Sequence, residues 1–257
     1  MTGSETSFST GNLNAADLWL FTVWLLLGVP LLGRWAHARL TSLEKSQQRE
    51  RRVRTYLRTL VKQWLTAAAV VWIALHHHVQ WSEIGLGRID LARTVGTCAA
   101  LTATLAIVAV LNLRQIRGLT HAQLGKAFGR MQPFYPDGRF EHGIFVVLAA
   151  TAGICEELIY RGLLLNFLGA VSRSLWTGVL LSSAVFGLGH AYQGRKGVIA
   201  TSILGLVFAG IYVFTRSLYA GQLLHFMIDV TFGFSGAYGV RLLRDRAPPS
   251  SRPVIGS

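Results

Sequence analysis

The chain has 257 residues, of which 51% are hydrophobic and only 14% charged, and its 25 Lys and Arg against 12 Asp and Glu give a formal net charge of +13. A soluble domain carries about 25% charged residues, so this composition excludes an ordinary soluble enzyme. The apolar residues fall in long blocks rather than in the short alternating strands of a β-barrel, which reads as an all-α, polytopic transmembrane helical bundle.

In chain order, the N-terminus is polar, with Glu5 and Asp17 ahead of the first apolar run. It lacks the basic n-region of a cleavable signal peptide, and the run ends at Arg34, so it reads as a retained first span. With about 20 apolar residues as the ruler, about seven spans are predicted, centred on 18–33, 65–79, 94–113, 144–168, 175–190, 198–215 and 218–240. The basic stretch after the first span, including Arg49, Arg51, Arg52, Arg54, Arg58 and Lys62, predicts an amphipathic helix over 43–62 at the membrane surface. Its place beside a span favours anionic lipid as its partner over nucleic acid. His76, His77 and His78 close the second span; such a cluster can bind metal, and a polar interfacial end is the preferred reading. Cys98 and Cys155 lie in apolar blocks and read as small hydrophobes.

Further basic groups follow the third span (Arg114, Arg117, Lys126, Arg130, Arg139), the fifth (Arg195, Lys196) and the last (Arg241, Arg244, Arg246). One threading puts all of them on the same side, which predicts a multi-pass protein of the plasma (inner) membrane with its N-terminus outside and its C-terminus cytoplasmic. The predicted organisation is residues 1–140 for the N-terminal spans and basic loops, 141–240 for a helical core with a polar centre, and 241–257 for a basic tail whose Pro248, Pro249 and Pro253 read as disorder. The first three span cores hold no ionisable side chain, so they are expected to be a lipid-facing jacket around the four C-terminal helices.

Charges in the later spans are the strongest signal, because each costs roughly 2.5–3.5 kcal/mol at the centre of a bilayer. Glu157 and Arg161 stand four apart with the acid first, the favourable order for a helical ion pair. Glu156 and Tyr160 repeat that spacing about 100° around the helix, so one carboxylate can be held in a structural pair while its neighbour faces a cavity. Phe186 and His190 share a face of the next helix, and His225 and Asp229 a face of the last. Asp229 can fix the tautomer of His225, and Glu156, His190, His225 and Asp229 are also zinc ligands by type. The His-Glu-x-x-His spacing of common metalloproteases is absent, and no cofactor is the preferred expectation, with zinc as the alternative. Counting along straight helices puts Glu156 near mid-membrane, His190 toward the inner face and His225 toward the outer, so a tilt, a broken helix or other boundaries are needed to unite them.

Glu-Glu-x-x-x-Arg, then Phe-x-x-x-His, then His-x-x-x-Asp, in this order on separate spans, resembles the CAAX-protease and bacteriocin-processing (CPBP, or Abi) family of intramembrane glutamate-dependent endopeptidases. The resemblance covers roughly 145–240. It implies that Glu156 is a general base activating a water, that His190 helps to position and deprotonate that water, and that His225 and Asp229 stabilise the oxyanion. It makes Glu157, Tyr160, Arg161 and Phe186 supporting residues. An ionised Asp229 would repel an oxyanion, so it is protonated there, or orients His225, or belongs to a metal set. The implied partners are membrane lipids and a membrane-associated or lipid-modified peptide or protein. Two other readings share these residues: a non-proteolytic scaffold or immunity protein of the same fold, and a proton-coupled transporter.

Overall fold

A computed structural model describes residues 16–42, 45–87 and 89–247. The described residues form eight helices: α1 (Ala16–Thr41), α2 (Lys45–His76), α3 (Leu91–Gly118), α4 (His121–Phe128), α5 (Arg139–Ser172), α6 (Leu175–Gly189), α7 (Arg195–Thr215) and α8 (Tyr219–Asp245). No strand occurs among the described residues. Six helices are long and apolar enough to cross a membrane, and they present exposed apolar side chains such as Leu20, Trp72, Ile107, Ile199 and Phe232. In water such an apolar surface would drive association; on a multi-pass membrane protein it is the lipid face. Of the predicted disordered tail over 241–257, residues 248–257 lie outside the described residues, and the start is corrected: α8 continues to Asp245.

The seventh apolar helix, α6, differs from expectation. Its 15 residues rise only about 22 Å, short of a hydrocarbon core of roughly 30 Å. It runs back along the second half of α5, whose 16 steps from Glu156 to Ser172 cover about 24 Å. A glycine-bearing end, Gly187 to Gly189, and a short turn through Ala191–Gln193 stop it at the depth of Glu156. His190, its C-cap, is thereby delivered into the bundle instead of to the inner face.

Of the amphipathic helix expected over 43–62, residues 45–62 form the first half of the 32-residue α2, which passes directly into the membrane-spanning part. No Pro or Gly interrupts Arg49 to Ala69, and Arg, Gln, Glu and Lys are good helix formers.

All the basic segments meet at one end. Arg52 Nε donates to the fully buried Glu141 at 2.7 Å, and Asp137 N donates to the same carboxylate at 2.8 Å. Arg244 reaches Asp137 at 2.9 Å, and Arg246 donates to the carbonyl oxygens of Arg117 and Leu119. Tyr192 packs on Phe134 and His37. At the other end Asp17 meets His77, and Arg93 donates to the carbonyl of Phe214. The described chain therefore enters at one end of the bundle and leaves at the other.

Within α5, residues Leu158–Leu165 form a wide turn of the π type, a feature frequent at functional sites. It frees carbonyls that a regular helix would use, and Asn166 supplies donors. Its Nδ2 lies 2.8 Å from Gly162 O and 2.8 Å from the Tyr212 hydroxyl, which donates onward to Glu83 O. Asn166→Ala is expected to lower stability by about 1–3 kcal/mol through orphaned carbonyls, measured as a lower melting temperature in detergent.

Candidate active site

The core of the site is one buried carboxylate with two cationic or imidazole partners. Glu157 is 1% exposed, and its Oε1 accepts from Arg161 Nη1 at 2.9 Å and from His225 Nδ1 at 3.0 Å. Arg161 also donates to Gly205 O on α7 at 3.0 Å, and its guanidinium lies 4.5 Å over Phe186 and 5.0 Å over Phe208. The expected Glu157–Arg161 pair is therefore present. The orienting group of His225 is corrected: Glu157, not Asp229, bonds its Nδ1. Asp229 lies on the Nε2 side at 3.8 Å, beyond hydrogen-bond reach.

With Nδ1–H committed to Glu157, His225 turns Nε2 toward Glu156, whose Oε2 is 4.0 Å away. The ring is stacked on Phe208 at 4.8 Å and met edge-on by Phe186 at 5.8 Å. Its position depends on how closely α8 approaches α5. A Cβ at Gly153 would lie 2.7 Å from Gln222 O and 3.1 Å from Phe226 N, so only glycine admits the α8 backbone there.

Glu156 is arranged differently from its neighbour. Its side chain is 18% exposed. Oε1 accepts from Gln63 Nε2 at 2.6 Å, while Oε2 has no hydrogen-bond partner among the described residues, nor has Gln63 Oε1. Gln63 belongs to α2, so the second helix is part of the site and not of a jacket. Only α3 keeps the jacket role, with most of its surface exposed. Sequence reasoning missed Gln63 because the second span was placed to begin at residue 65.

His190 Nδ1 donates to Phe186 O at 2.9 Å, which leaves Nε2 as its other polar atom. Phe186 contacts the rings of Tyr160 (5.1 Å), His190 (4.9 Å) and His225, so this one aromatic side chain spaces three site residues. Gly187 makes room behind it: a Cβ there would lie 2.8 Å from Val198 O of α7.

Glu156, Tyr160 and His190 open into a cleft of about 390 Å³ between α1 and α2. One wall is α1, including Val29, Gly33, Ala36 and Leu40; Arg51, Arg54, Arg58 and Lys62 of α2 form the other. Tyr192 also lines it, and burial pushes its phenol up to about 12, so at neutral pH it presents an O–H. A second groove of about 750 Å³, lined by apolar side chains such as Phe21, Trp24, Leu57, Val61 and Leu65, shares Leu32, Arg58 and Lys62 with the cleft.

Among the described residues, the four expected catalytic side chains do not form a set of three donors within 4.8 Å of one another; only Asp17, His76 and His77 do. The arrangement thus unites Glu156, Glu157, Tyr160, Arg161, Phe186, His190 and His225, with Asp229 at its margin. Chemically it offers one carboxylate free to take a proton beside an imidazole whose tautomer is fixed. Neither the curated proteins nor the solved structures include a significant match to the chain. Residues 139–231 match the family model described as Type II CAAX prenyl endopeptidase Rce1-like, and the matched segment takes in Glu156, Glu157, Arg161, His190, His225 and Asp229.

Proposed function

We propose that the protein is an intramembrane endopeptidase in which Glu156 activates a water for attack on a peptide bond. The observation that carries this reading is the unequal treatment of two adjacent carboxylates. Glu157 is spent on Arg161 and His225, while Glu156 keeps one buried oxygen without a partner among the described residues, on the floor of an open cleft. Two buried acceptors, Glu156 Oε2 and Gln63 Oε1, suit the two hydrogens of a single water. Glu156 then takes a proton as that water attacks, and His190 lines the same cleft beside it. In its imidazolium form, with Nδ1–H still on Glu157, His225 presents Nε2–H where negative charge develops on the carbonyl oxygen, and a donor of that kind is worth about 10²–10³ in rate. Asp229 stands on the Nε2 side of His225 at 3.8 Å and makes no direct bond to it.

The substrate follows from the two connected cavities. The apolar groove faces the lipid side of α1 and α2 and leads to the cleft at Leu32, Arg58 and Lys62. That shape accommodates an apolar, membrane-held chain whose polar peptide end enters the cleft, as a lipid-modified peptide has. Arg51, Arg54, Arg58 and Lys62 favour an anionic group on that end. The clustering of basic residues at this end of the bundle supports a cytoplasmic cleft mouth.

A metal-free reaction is the better reading, since Glu156, His190, His225 and Asp229 do not bring three ligand atoms within 4.8 Å of one another. The test is cleavage of lipid-modified and unmodified peptides by purified protein in nanodiscs, with products identified by mass spectrometry. We expect preference for the lipid-modified series and activity that persists in a strong chelator. No product from any membrane-held peptide, or loss of activity that added zinc restores, counts against this mechanism.

A further inference from the structure

At the end of the bundle away from the cleft, the start of α1 meets the end of α2. Asp17 Oδ2 lies 2.8 Å from His77 Nε2, and Asp17, His76 and His77 each offer a ligand atom within 4.8 Å of the other two. Packing holds them there. Leu18, Phe21 and Leu25 of α1 share one buried core with Val70, Ile73 and Ala74 of α2. The Asp17 carboxylate is oriented by Leu18 N, which donates to Oδ1 at 3.0 Å. The His76 ring lies parallel to Trp72 at 5.2 Å, and His77 N donates to Ile73 O at 3.0 Å. His78, in a left-handed conformation with φ 53°, ends the helix immediately afterwards. The histidine cluster that the sequence offers alone thus acquires a carboxylate from another helix.

We propose that Asp17, His76 and His77 bind a divalent first-row transition ion, with Zn²⁺ the best match. Two imidazole nitrogens and one carboxylate oxygen suit Zn²⁺, Cu²⁺ or Ni²⁺, whereas Mg²⁺ and Ca²⁺ take oxygen ligands. Tetrahedral zinc with bonds of about 2.0–2.1 Å sets its ligands roughly 3.3 Å apart. The Asp17–His77 contact opens by about half an ångström to reach that spacing, and the exposed His76 ring closes on it by side-chain rotation. Three protein ligands leave a fourth position for water. The bound ion ties α1 to α2 about 20 Å along α2 from Gln63, counted over 13 residues. Because the same two helices form the walls of the cleft, occupancy restrains their separation at the site's entrance.

This inference is independent of the proteolytic reading, and the experiment separates them. Full-length protein bearing a histidine-free affinity tag is titrated with Zn²⁺ calorimetrically, and with Cu²⁺ followed by electron paramagnetic resonance. One ion per chain is expected, with nitrogen superhyperfine structure from two imidazoles and a raised melting temperature. Asp17→Asn and His77→Gln should each weaken binding at least tenfold. His76→Gln, at an exposed position outside the buried core, should do the same, while His121→Gln should not. The proposal fails if folded wild-type protein binds no stoichiometric ion, or if binding survives in the triple variant D17N/H76Q/H77Q, as it would for an ion held at the catalytic carboxylates.

Discussion

Glu156→Gln is expected to lower peptide hydrolysis by about 10²–10⁴-fold, the usual contribution of a positioned general base, without lowering stability. The amide keeps the shape of the side chain and can still accept from Gln63, whose Nε2 is 2.6 Å from Oε1. It removes a charge whose nearest ion-pair partner among the described residues is His225, at 4.0 Å. Burying a neutral amide costs less than burying a carboxylate, so the melting temperature should hold or rise. That is the signature of a group kept for chemistry at some expense to the fold. Gln63→Leu supplies a graded comparison. It deletes a hydrogen bond to a charged acceptor, worth about 1.5–3 kcal/mol, and should slow the reaction by roughly 10–100-fold if that bond positions Glu156 in the transition state. Initial rates on a single peptide, paired with thermal unfolding in the same detergent, read out both. Undiminished cleavage by the Glu156→Gln variant would remove the general-base assignment.

The division of labour between Glu156 and Glu157 was legible before any coordinates, because helical spacing pairs Glu157 with Arg161 and turns Glu156 elsewhere. The lipid-facing character of the bundle was legible for the same reason: apolar blocks and basic loops are local properties of the chain. What the sequence concealed was depth. A count at constant rise assumes that each apolar block crosses fully, yet α6 stops after 15 residues and carries His190 to the level of Glu156. The signal was present in the Gly187–Leu188–Gly189–His190 run and the shortness of the block, but only the packing of α6 on α5 and α7 shows its meaning. Gln63 was concealed differently. It is an uncharged residue at the edge of a basic stretch, and nothing in its neighbours marks it until Glu156 of another helix comes within 2.6 Å. The buried Arg52–Glu141 pair belongs to the same class, two residues 89 positions apart whose pairing no local pattern encodes.

Arg161→Met should be the most destabilising change at the site, by about 3–5 kcal/mol, the penalty for breaking a buried ion pair from one side. Arg161 is 1% exposed and lies between the faces of Phe186 and Phe208, held by Glu157 and Gly205 O. Methionine fills much of the volume but leaves Glu157 ionised with only His225 as partner. Native proteins stand roughly 5–15 kcal/mol above unfolding, so the loss should appear as a large drop in melting temperature and in yield of folded protein. Pairing it with Glu157→Leu removes the orphaned charge, and replacing a buried pair by apolar side chains is often neutral or stabilising. Stability should therefore return in part. Activity should not, because Glu157 has a second role: its Oε1 also accepts from His225 Nδ1 and fixes which nitrogen faces Glu156. A double variant that recovers both stability and cleavage would show that Glu157 serves Arg161 alone. Recovery of stability without cleavage would show that one buried carboxylate both braces the bundle and sets the imidazole for catalysis.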